Sequence, residues 1–151
     1  MVDARKVPAE LIIQELSSKL ASKKDLKVPD WVNYLKAGIH RENSWENGEQ
    51  WYYCRSASLL RKLYIKGTLG ISRLSQEYGG RVDRGSKRYH PSSGSRFIVR
   101  YILHSLESAG LVKKVNGGRT LSPAGQSLME KAASESLKKY AETYPELKKY
   151  L

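Results

Sequence analysis

The hydrophobic pattern is strongest over residues 51–67, where apolar side chains recur with the spacing of an α-helix. They fill one broad face of this helix, which consists of Tyr52, Tyr53, Ala57, Leu59, Leu60, Leu63 and Tyr64. Arg55, Lys62 and Lys66 fall together on a narrow strip on the opposite side. A helix with so wide an apolar face must be covered on most sides, so the pattern predicts a central helix around which the rest of the chain packs.

Both ends of this central helix are marked by local signals. Asn47 followed three residues later by Gln50 resembles a capping box, and Gly67 fits a left-handed helix stop. The basic strip is either a solvated helix edge or a surface that faces a polyanion. The distribution of charge along the chain, described below, favours the polyanion.

Two amphipathic patterns precede the central helix. The first follows Pro8, which suits the first turn of a helix, and its apolar positions are Leu11, Ile12, Leu16 and Leu20. The second follows Pro29 and ends at Gly38, so we expect a second helix there. Residues 39–50 are polar, contain an Asn-Gly pair and are predicted to form a loop that Trp45 anchors.

Two further helices and a long polar segment follow Gly67. Residues 71–78 are predicted to form a short helix, because three apolar side chains in it share a face. Residues 81–94 have almost no aliphatic side chains and are predicted to form an irregular, mobile loop. Residues 95–109 are predicted to form a helix whose buried face consists of Ile98, Tyr101, Ile102, Ser105 and Ala109.

The end of the chain carries a hairpin signal and a helix signal. Residues 111–115 and 119–122 are predicted to be two short strands around Asn-Gly-Gly, because Asn and Gly accept the positive φ angles of a tight turn. Ser122 and the proline after it fit the start of a closing helix. The buried side of that helix is expected to carry Leu128, Met129, Ala132 and Leu137.

This order of elements is typical of a winged-helix unit. We therefore predict a mainly α-helical fold, a winged-helix-like bundle around a central amphipathic helix, with one small β-hairpin as the wing. At 151 residues the chain fits a single domain. In it, residues 1–50 form N-terminal helices, residues 51–140 form the winged-helix-like unit and residues 141–151 form a tail.

Basic residues are concentrated in the middle of the chain. The whole sequence has a net charge of +12. Residues 51–120 hold 14 Lys and Arg against 3 Asp and Glu, a net charge of +11, whereas residues 1–50 balance at 8 against 8. Such a concentration predicts a binding surface for phosphate groups.

The predicted fold brings four basic segments to one side: the helix strip, the loop, the third helix and the wing. Residues 81–94 are expected to be mobile in the free protein and to become ordered on RNA. The candidate nucleic-acid contacts are Arg55, Lys62, Lys66, Arg81, Arg84, Lys87, Arg88, Arg96, Arg100, Lys113, Lys114 and Arg119.

Other classes of function have little support in the sequence. No Ser or Cys stands beside a plausible His base, no phosphate-binding loop motif occurs, and no Cys/His spacing suits a metal. We therefore expect no enzymatic activity, metal or cofactor. The single cysteine, Cys54, excludes an internal disulfide, and the absence of a long apolar run predicts a cytosolic protein without a membrane span.

Five motifs together resemble the nineteen-e family of small-subunit ribosomal proteins, which archaea and eukaryotes share, and the chain looks like an archaeal member. The resemblance covers residues 27–132. Its motifs are KVPDWV at 27–32, WYYCRSASLLRKLYIKG at 51–67, EYGGR at 77–81, LESAGLVKK at 106–114 and GGRTLSPAGQ at 117–126.

The resemblance implies a helical protein with a small hairpin in the head of the small subunit of the cytoplasmic ribosome. Its partners there would be ribosomal RNA and neighbouring ribosomal proteins, and family members are implicated in maturation of the subunit. The family's basic surface would fall on Arg55, Arg61, Arg81, Arg100, Lys113, Lys114 and Arg119.

A winged-helix regulator that reads DNA is the alternative. Such regulators usually need a dimer interface. The sequence shows no long uncommitted apolar helix that would supply one, unless the tail does so, and we therefore expect a monomer when the protein is free.

Overall fold

Five α-helices and four short strands form the part of the chain that the computed structural model describes, residues 3–23, 26–36, 38–39, 47–144 and 146. In chain order the elements are α1 (Ala9–Ala21), a 3-10 helix (Asp30–Tyr34), α2 (Gly48–Lys66), α3 (Ile71–Glu77), β1 (Gly80–Arg84), β2 (Lys87–Ser92), α4 (Arg96–Ser108), β3 (Val112–Val115), β4 (Gly118–Leu121) and α5 (Pro123–Thr143). The predicted class, mainly helical and winged-helix-like, is confirmed.

Helix α2 is the centre of the fold, as its sequence pattern predicts. It packs against α1, α4, α5, β4 and the 3-10 helix. Leu59 and Leu60 are completely buried, and Leu63 is 1% exposed. Trp51 and Ser56 are buried as well, so the covered face is wider than the predicted one. This width follows from the number of elements that surround the helix.

Short polar side chains start three of the helices. The side chain of Asn47 accepts a hydrogen bond from the Gln50 amide at 3.2 Å, as predicted for the start of α2. Ser122 accepts one from the Gly125 amide at 3.1 Å, which confirms the predicted start of α5. Ser95 caps α4 in the same way. Local sequence therefore fixes where these helices begin.

The buried face of α4 differs from the predicted one. Its fully buried residues are Val99, Ile102, Leu103 and Leu106. Tyr101 and Ser105 lie at the edge of the core, where the Tyr52 hydroxyl donates to the Ser105 hydroxyl over 3.1 Å. Of the predicted face, Ile102 is fully buried and Ile98 and Ala109 pack against the core in part, so the buried face is displaced from the predicted one. The displacement arises because α4 packs against α3 and β3 as well as α2.

The predicted second helix is also shorter than expected. Its residues form a 3-10 helix. The backbone amides of Val32 and Leu35 donate hydrogen bonds to the carbonyls three residues earlier, those of Pro29 and Val32. The chain is extended at Leu35, so the helix ends before Gly38. Tyr34, the last residue of the 3-10 helix, is 87% exposed.

Residues 81–94 do not form the irregular loop that the sequence suggested. Strands β1 and β2 pair antiparallel, with Arg81 opposite Pro91 and Arg84 opposite Lys87. Between them Gly85 turns the chain at a φ of 71°, in the left-handed region that glycine tolerates best. Cross-strand backbone hydrogen bonds join the two halves of this segment, and its mobility in the free protein and ordering on RNA stay predictions.

The second hairpin, β3–β4, is the predicted wing. Val112 pairs with Leu121 and Val115 with Gly118 around the Asn-Gly turn. The wing is fastened to the linker between α2 and α3, because Leu69 and Arg119 exchange two backbone hydrogen bonds of 3.1 and 3.0 Å. This contact holds the hairpin against the helical core.

Parts of two predictions lie outside the described residues. Most of the predicted loop 39–50, including Trp45, belongs to them, and so do six residues of the predicted tail, 145 and 147–151. None of the described helices is long and apolar enough to cross a membrane. The described residues also contain no group of three or more His, Cys, Asp or Glu side chains that could hold a metal ion.

Candidate nucleic-acid interface

The β1–β2 hairpin is held to the body of the protein at its base. Gly79 lies so close to the end of β2 that a Cβ there would come within 2.1 Å of the Ser92 carbonyl oxygen. On the other side, the Gly94 amide donates a 2.8 Å hydrogen bond to the Ser75 carbonyl of α3. Glycine at these positions lets the two ends of the hairpin meet α3, which fixes where the hairpin leaves the domain.

Beyond this base the hairpin is a basic arm. We use basic arm for residues 80–92, whose four Lys and Arg side chains, Arg81, Arg84, Lys87 and Arg88, are all exposed. Among the described residues, neither strand packs extensively on any element except its partner. The basic arm therefore presents its charges to solvent.

Hydrogen bonds inside the basic arm hold its tip together. Arg84 donates from Nε and Nη2 to the Arg88 carbonyl, at 3.1 and 2.9 Å. The carboxylate of Asp83 accepts from the Gly85 amide at 2.9 Å. Arg84 thus braces the turn, whereas Arg81, Lys87 and Arg88 are the better candidates for outside contacts.

Helix α4 and the wing add further exposed cations. Arg96 and Arg100 lie one turn apart on α4, and both are exposed. Lys113 and Lys114 are exposed on β3. Because α4 packs against both α3 and β3, it lies between the helix that carries the basic arm and the wing.

The basic strip of α2 contacts residues at the end of α3, although Lys66 also remains exposed to solvent. Lys62 contacts the Glu77 carboxylate at 2.9 Å, and Lys66 pairs with the same carboxylate. The guanidinium of Arg55 lies over the Tyr78 ring, 4.2 Å from its centre, and 5.2 Å from that of Trp51. Burial lowers the pKa of Arg55, although an arginine stays charged at neutral pH.

Two other predicted contacts, Arg119 and Arg61, are buried or half-buried in the protein. Arg119 is only 8% exposed, and its Nε donates to the Glu107 carboxylate at 2.6 Å. The other oxygen of Glu107 lies 3.3 Å from Nδ1 of His104. Arg61 is half-buried on α2, and its buried Nε has no hydrogen-bond partner among the described residues. We assign Arg119 a structural role.

The two lysines hold the pKa of Glu77 well below its ordinary value. Hydrogen bonds from Lys66 and then Lys62 lower it from 4.5 to about 2. A carboxyl whose pKa is depressed by folding stabilises the protein above its unfolded pKa, and the contribution disappears as the pH falls through the folded pKa.

We therefore expect the free energy of unfolding to fall between pH 4.5 and pH 2 in part because Glu77 takes up a proton. Because solvent reaches Glu77 and both lysines, their contribution to the free energy of unfolding should stay below about 1 kcal/mol. Denaturant unfolding of the parent and of Glu77→Gln across this range checks it. The difference in stability between the two proteins should shrink towards pH 2, and a constant difference would contradict the assignment.

Each of the three carboxylates in residues 51–120 is thus engaged inside the protein: Glu77 by two lysines, Asp83 by a backbone amide and Glu107 by Arg119. Apart from Lys66, the exposed cations of this section lie on α3, the basic arm, α4 and β3. Sequence reasoning omitted one of them, Arg73, which is exposed on α3. Its place on the polar side of the α3 pattern would have identified it.

Comparisons with known proteins give one consistent family. The family model described as Ribosomal protein S19e matches residues 3–139, which extends past both limits of the 27–132 resemblance. The small ribosomal subunit protein eS19 of Thermoplasma acidophilum is 52% identical over 151 residues, all of both chains. The proteins of the same name from Thermoplasma volcanium and Aeropyrum pernix are 50% and 44% identical, again over the full length of both chains.

Proposed function

Because the chain belongs to the ribosomal protein S19e family, we propose that it is a structural component of the small ribosomal subunit and binds ribosomal RNA. The motifs quoted from the sequence had indicated this family, and the family match confirms that resemblance. The proposal includes a location in the cytoplasmic ribosome, neighbouring ribosomal proteins of the subunit head as further partners, and a monomeric state before assembly.

The basic arm carries the proposal. Four exposed cations and a single carboxylate occupy a hairpin that packs on little except itself. Such a segment contributes almost nothing to the core, so its charge needs another explanation. Binding to RNA phosphates explains this charge, because cations held on a scaffold displace the counterions of the RNA backbone.

The remaining exposed cations extend this surface. They lie on α3, α4 and β3 and are Arg73, Arg96, Arg100, Lys113 and Lys114. Lys62, Lys66 and Arg119 are left out because carboxylates of this protein engage them. Arg55 and Arg61 remain in the proposal as contacts at the edge, since both side chains are half-buried.

We include a role in subunit maturation in the proposal. A protein that contacts RNA through several separate elements can fix the arrangement of the contacted RNA segments before the subunit is complete. Depletion of the protein should then leave unprocessed small-subunit RNA, and normal processing without it would remove this part of the proposal. The alternative of a DNA-reading regulator is not favoured, since the related proteins are ribosomal.

Binding at matched salt tests the proposal most simply. The protein should prefer a small-subunit RNA transcript to duplex DNA of equal length, and the logarithm of its affinity should fall with the logarithm of salt by about 0.7 to 0.9 per phosphate contact. If all nine exposed cations on the surface contact phosphates, a slope of roughly −6 to −8 is expected, and a shallower one if fewer do. A flat salt dependence, or equal affinity for duplex DNA together with a dimer in sedimentation, would contradict it.

A further inference from the structure

The outer face of α4 carries two aromatic rings, of which Tyr101 lies at the edge of the core and Phe97 is exposed. The buried residues of this helix, such as Val99 and Leu103, point inward, whereas Phe97 is 61% exposed. The ring of Trp31 lies 5.3 Å from that of Phe97 and 5.1 Å from that of Tyr101, measured between centroids. Trp31 thus supports both rings from the body of the protein and limits their motion.

These rings form one wall of a shallow groove along the helix. The groove has a volume of about 260 Å³ and is lined by Phe97, Arg100, Tyr101, His104, Ser105 and Ser108. The spacing of these positions places them on one stripe of the helix. Aromatic faces and hydroxyl groups therefore lie side by side on a surface that solvent reaches.

The charge around the groove is positive. Arg100 lines it and is exposed, and Arg96 lies one turn earlier on the same helix. None of the six lining residues is acidic. The nearest carboxylate along the helix, Glu107, is held by Arg119 at 2.6 Å and faces His104. A ligand that combines a flat apolar ring with a negative charge would suit this arrangement.

We propose that this groove binds an unstacked base of ribosomal RNA, which stacks on Phe97 while Arg100 contacts the adjacent phosphate. The proposal rests on the function proposed above and adds a specific contact to it. Unpaired bases are recognised by stacking on aromatic side chains, and the backbone that carries them by nearby cations.

The same face could in principle receive an apolar protein segment, but its charge argues for RNA. The centres of protein interfaces are depleted of charged residues, whereas Arg100 is part of the groove itself. A nucleotide can stack its base on the Phe97 ring and place its phosphate next to Arg100.

Affinity measurements with substitutions at Phe97 test the proposal. Phe97→Ala should weaken binding to the small-subunit RNA transcript about tenfold, because one base–aromatic stack is lost, while the salt slope stays unchanged. Phe97→Leu keeps an apolar side chain without a ring face and should weaken binding similarly. Phe97→Trp keeps an aromatic face and should bind the transcript with the affinity of the parent protein. Arg100→Gln should instead lower the salt slope by about 1.

Tyr144→Ala is the matched control, since Tyr144 is an aromatic side chain that is 51% exposed at the end of α5. It should leave the affinity unchanged. All variants should melt at the parent temperature, because the substituted side chains are exposed. Fully duplex RNA has no unpaired base to stack, so Phe97→Ala and the parent protein should bind it with equal affinity.

The outcomes separate this proposal from the function on which it rests. If the parent binds the transcript with a steep salt dependence but the Phe97 variants bind equally well, stacking is overturned and RNA binding stands. If the Phe97 variants bind RNA normally but no longer enter the small subunit, the face contacts a protein and the proposal is again overturned. If the parent itself does not bind the transcript, both proposals fail.

Discussion

Replacing Leu60 or Leu63 with alanine is expected to lower the free energy of unfolding by roughly 2 to 5 kcal/mol. Leu60 is completely buried and Leu63 is 1% exposed. Both lie on α2, against which α1, α4, α5 and the wing all pack, so neighbouring elements cannot close the resulting cavity without moving together. Denaturant unfolding measures the loss, and the melting temperature should fall by on the order of 10 °C.

Ile65→Ala on the same helix is the matched control. Ile65 is 36% exposed, so its replacement should cost less than about 1 kcal/mol. A loss of less than about 1 kcal/mol for Leu60→Ala would show that α2 is not the centre of the core. Equal losses at Leu60 and Ile65 would show the same.

Neutralising three charges of the basic arm should have the largest effect on RNA binding. In the triple variant Arg81→Gln, Lys87→Gln and Arg88→Gln, the salt slope should fall by about 2 to 3 and the affinity near 0.15 M salt by roughly ten- to a hundredfold. Arg84 is kept because it braces the turn through the Arg88 carbonyl. The melting temperature should stay nearly constant, since the replaced side chains are exposed.

A variant with the same change in net charge tests whether location matters. Lys6, Lys131 and Lys138 are exposed outside the basic section of the chain, and their replacement with Gln also removes three charges. Binding isotherms at several salt concentrations should show little change for this control. If both triple variants lose the same affinity, net charge alone drives binding and the basic arm has no special role.

Much of the fold could be predicted because its signals are local. Helix α2 has a helical apolar period, a capping side chain at Asn47 and a stop at Gly67, and all three are confirmed. The wing has an Asn-Gly turn between two short strands, with Gly117 at a φ of 89°. Each of these features depends on a few neighbouring residues, so sequence alone determines them.

The β1–β2 hairpin was missed because it lacks the usual marks of strands. Val82 is its only aliphatic side chain, and an alternating apolar pattern is therefore absent. The informative signal was the pair Gly85-Ser86, a two-residue connection that favours a tight hairpin turn. The sequence identified the four cations of this segment as candidate RNA contacts, but it did not identify the hairpin that holds them.

The internal ion pairs of the candidate site could not be predicted from spacing. Lys66 and Glu77 belong to different helices, and Arg119 reaches Glu107 from the wing. Packing of separate elements brings these charges together, and nothing in the local sequence indicates it. The buried face of α4 was misplaced for the same reason, since its orientation depends on three neighbouring elements.

Directed cleavage of RNA from the tip of the basic arm tests the central claim most directly. The chain has a single cysteine, Cys54, which is half-buried on α2. In a Cys54→Ala background, Ser86→Cys places an attachment site for an iron chelate in the hairpin turn, and Ser18→Cys places one on the outer side of α1. In reconstituted small subunits, radicals from position 86 should cut the ribosomal RNA at a few defined sites, and those from position 18 should cut it weakly or not at all. Cleavage from position 18 without cleavage from position 86 would contradict the claim that the basic arm binds ribosomal RNA.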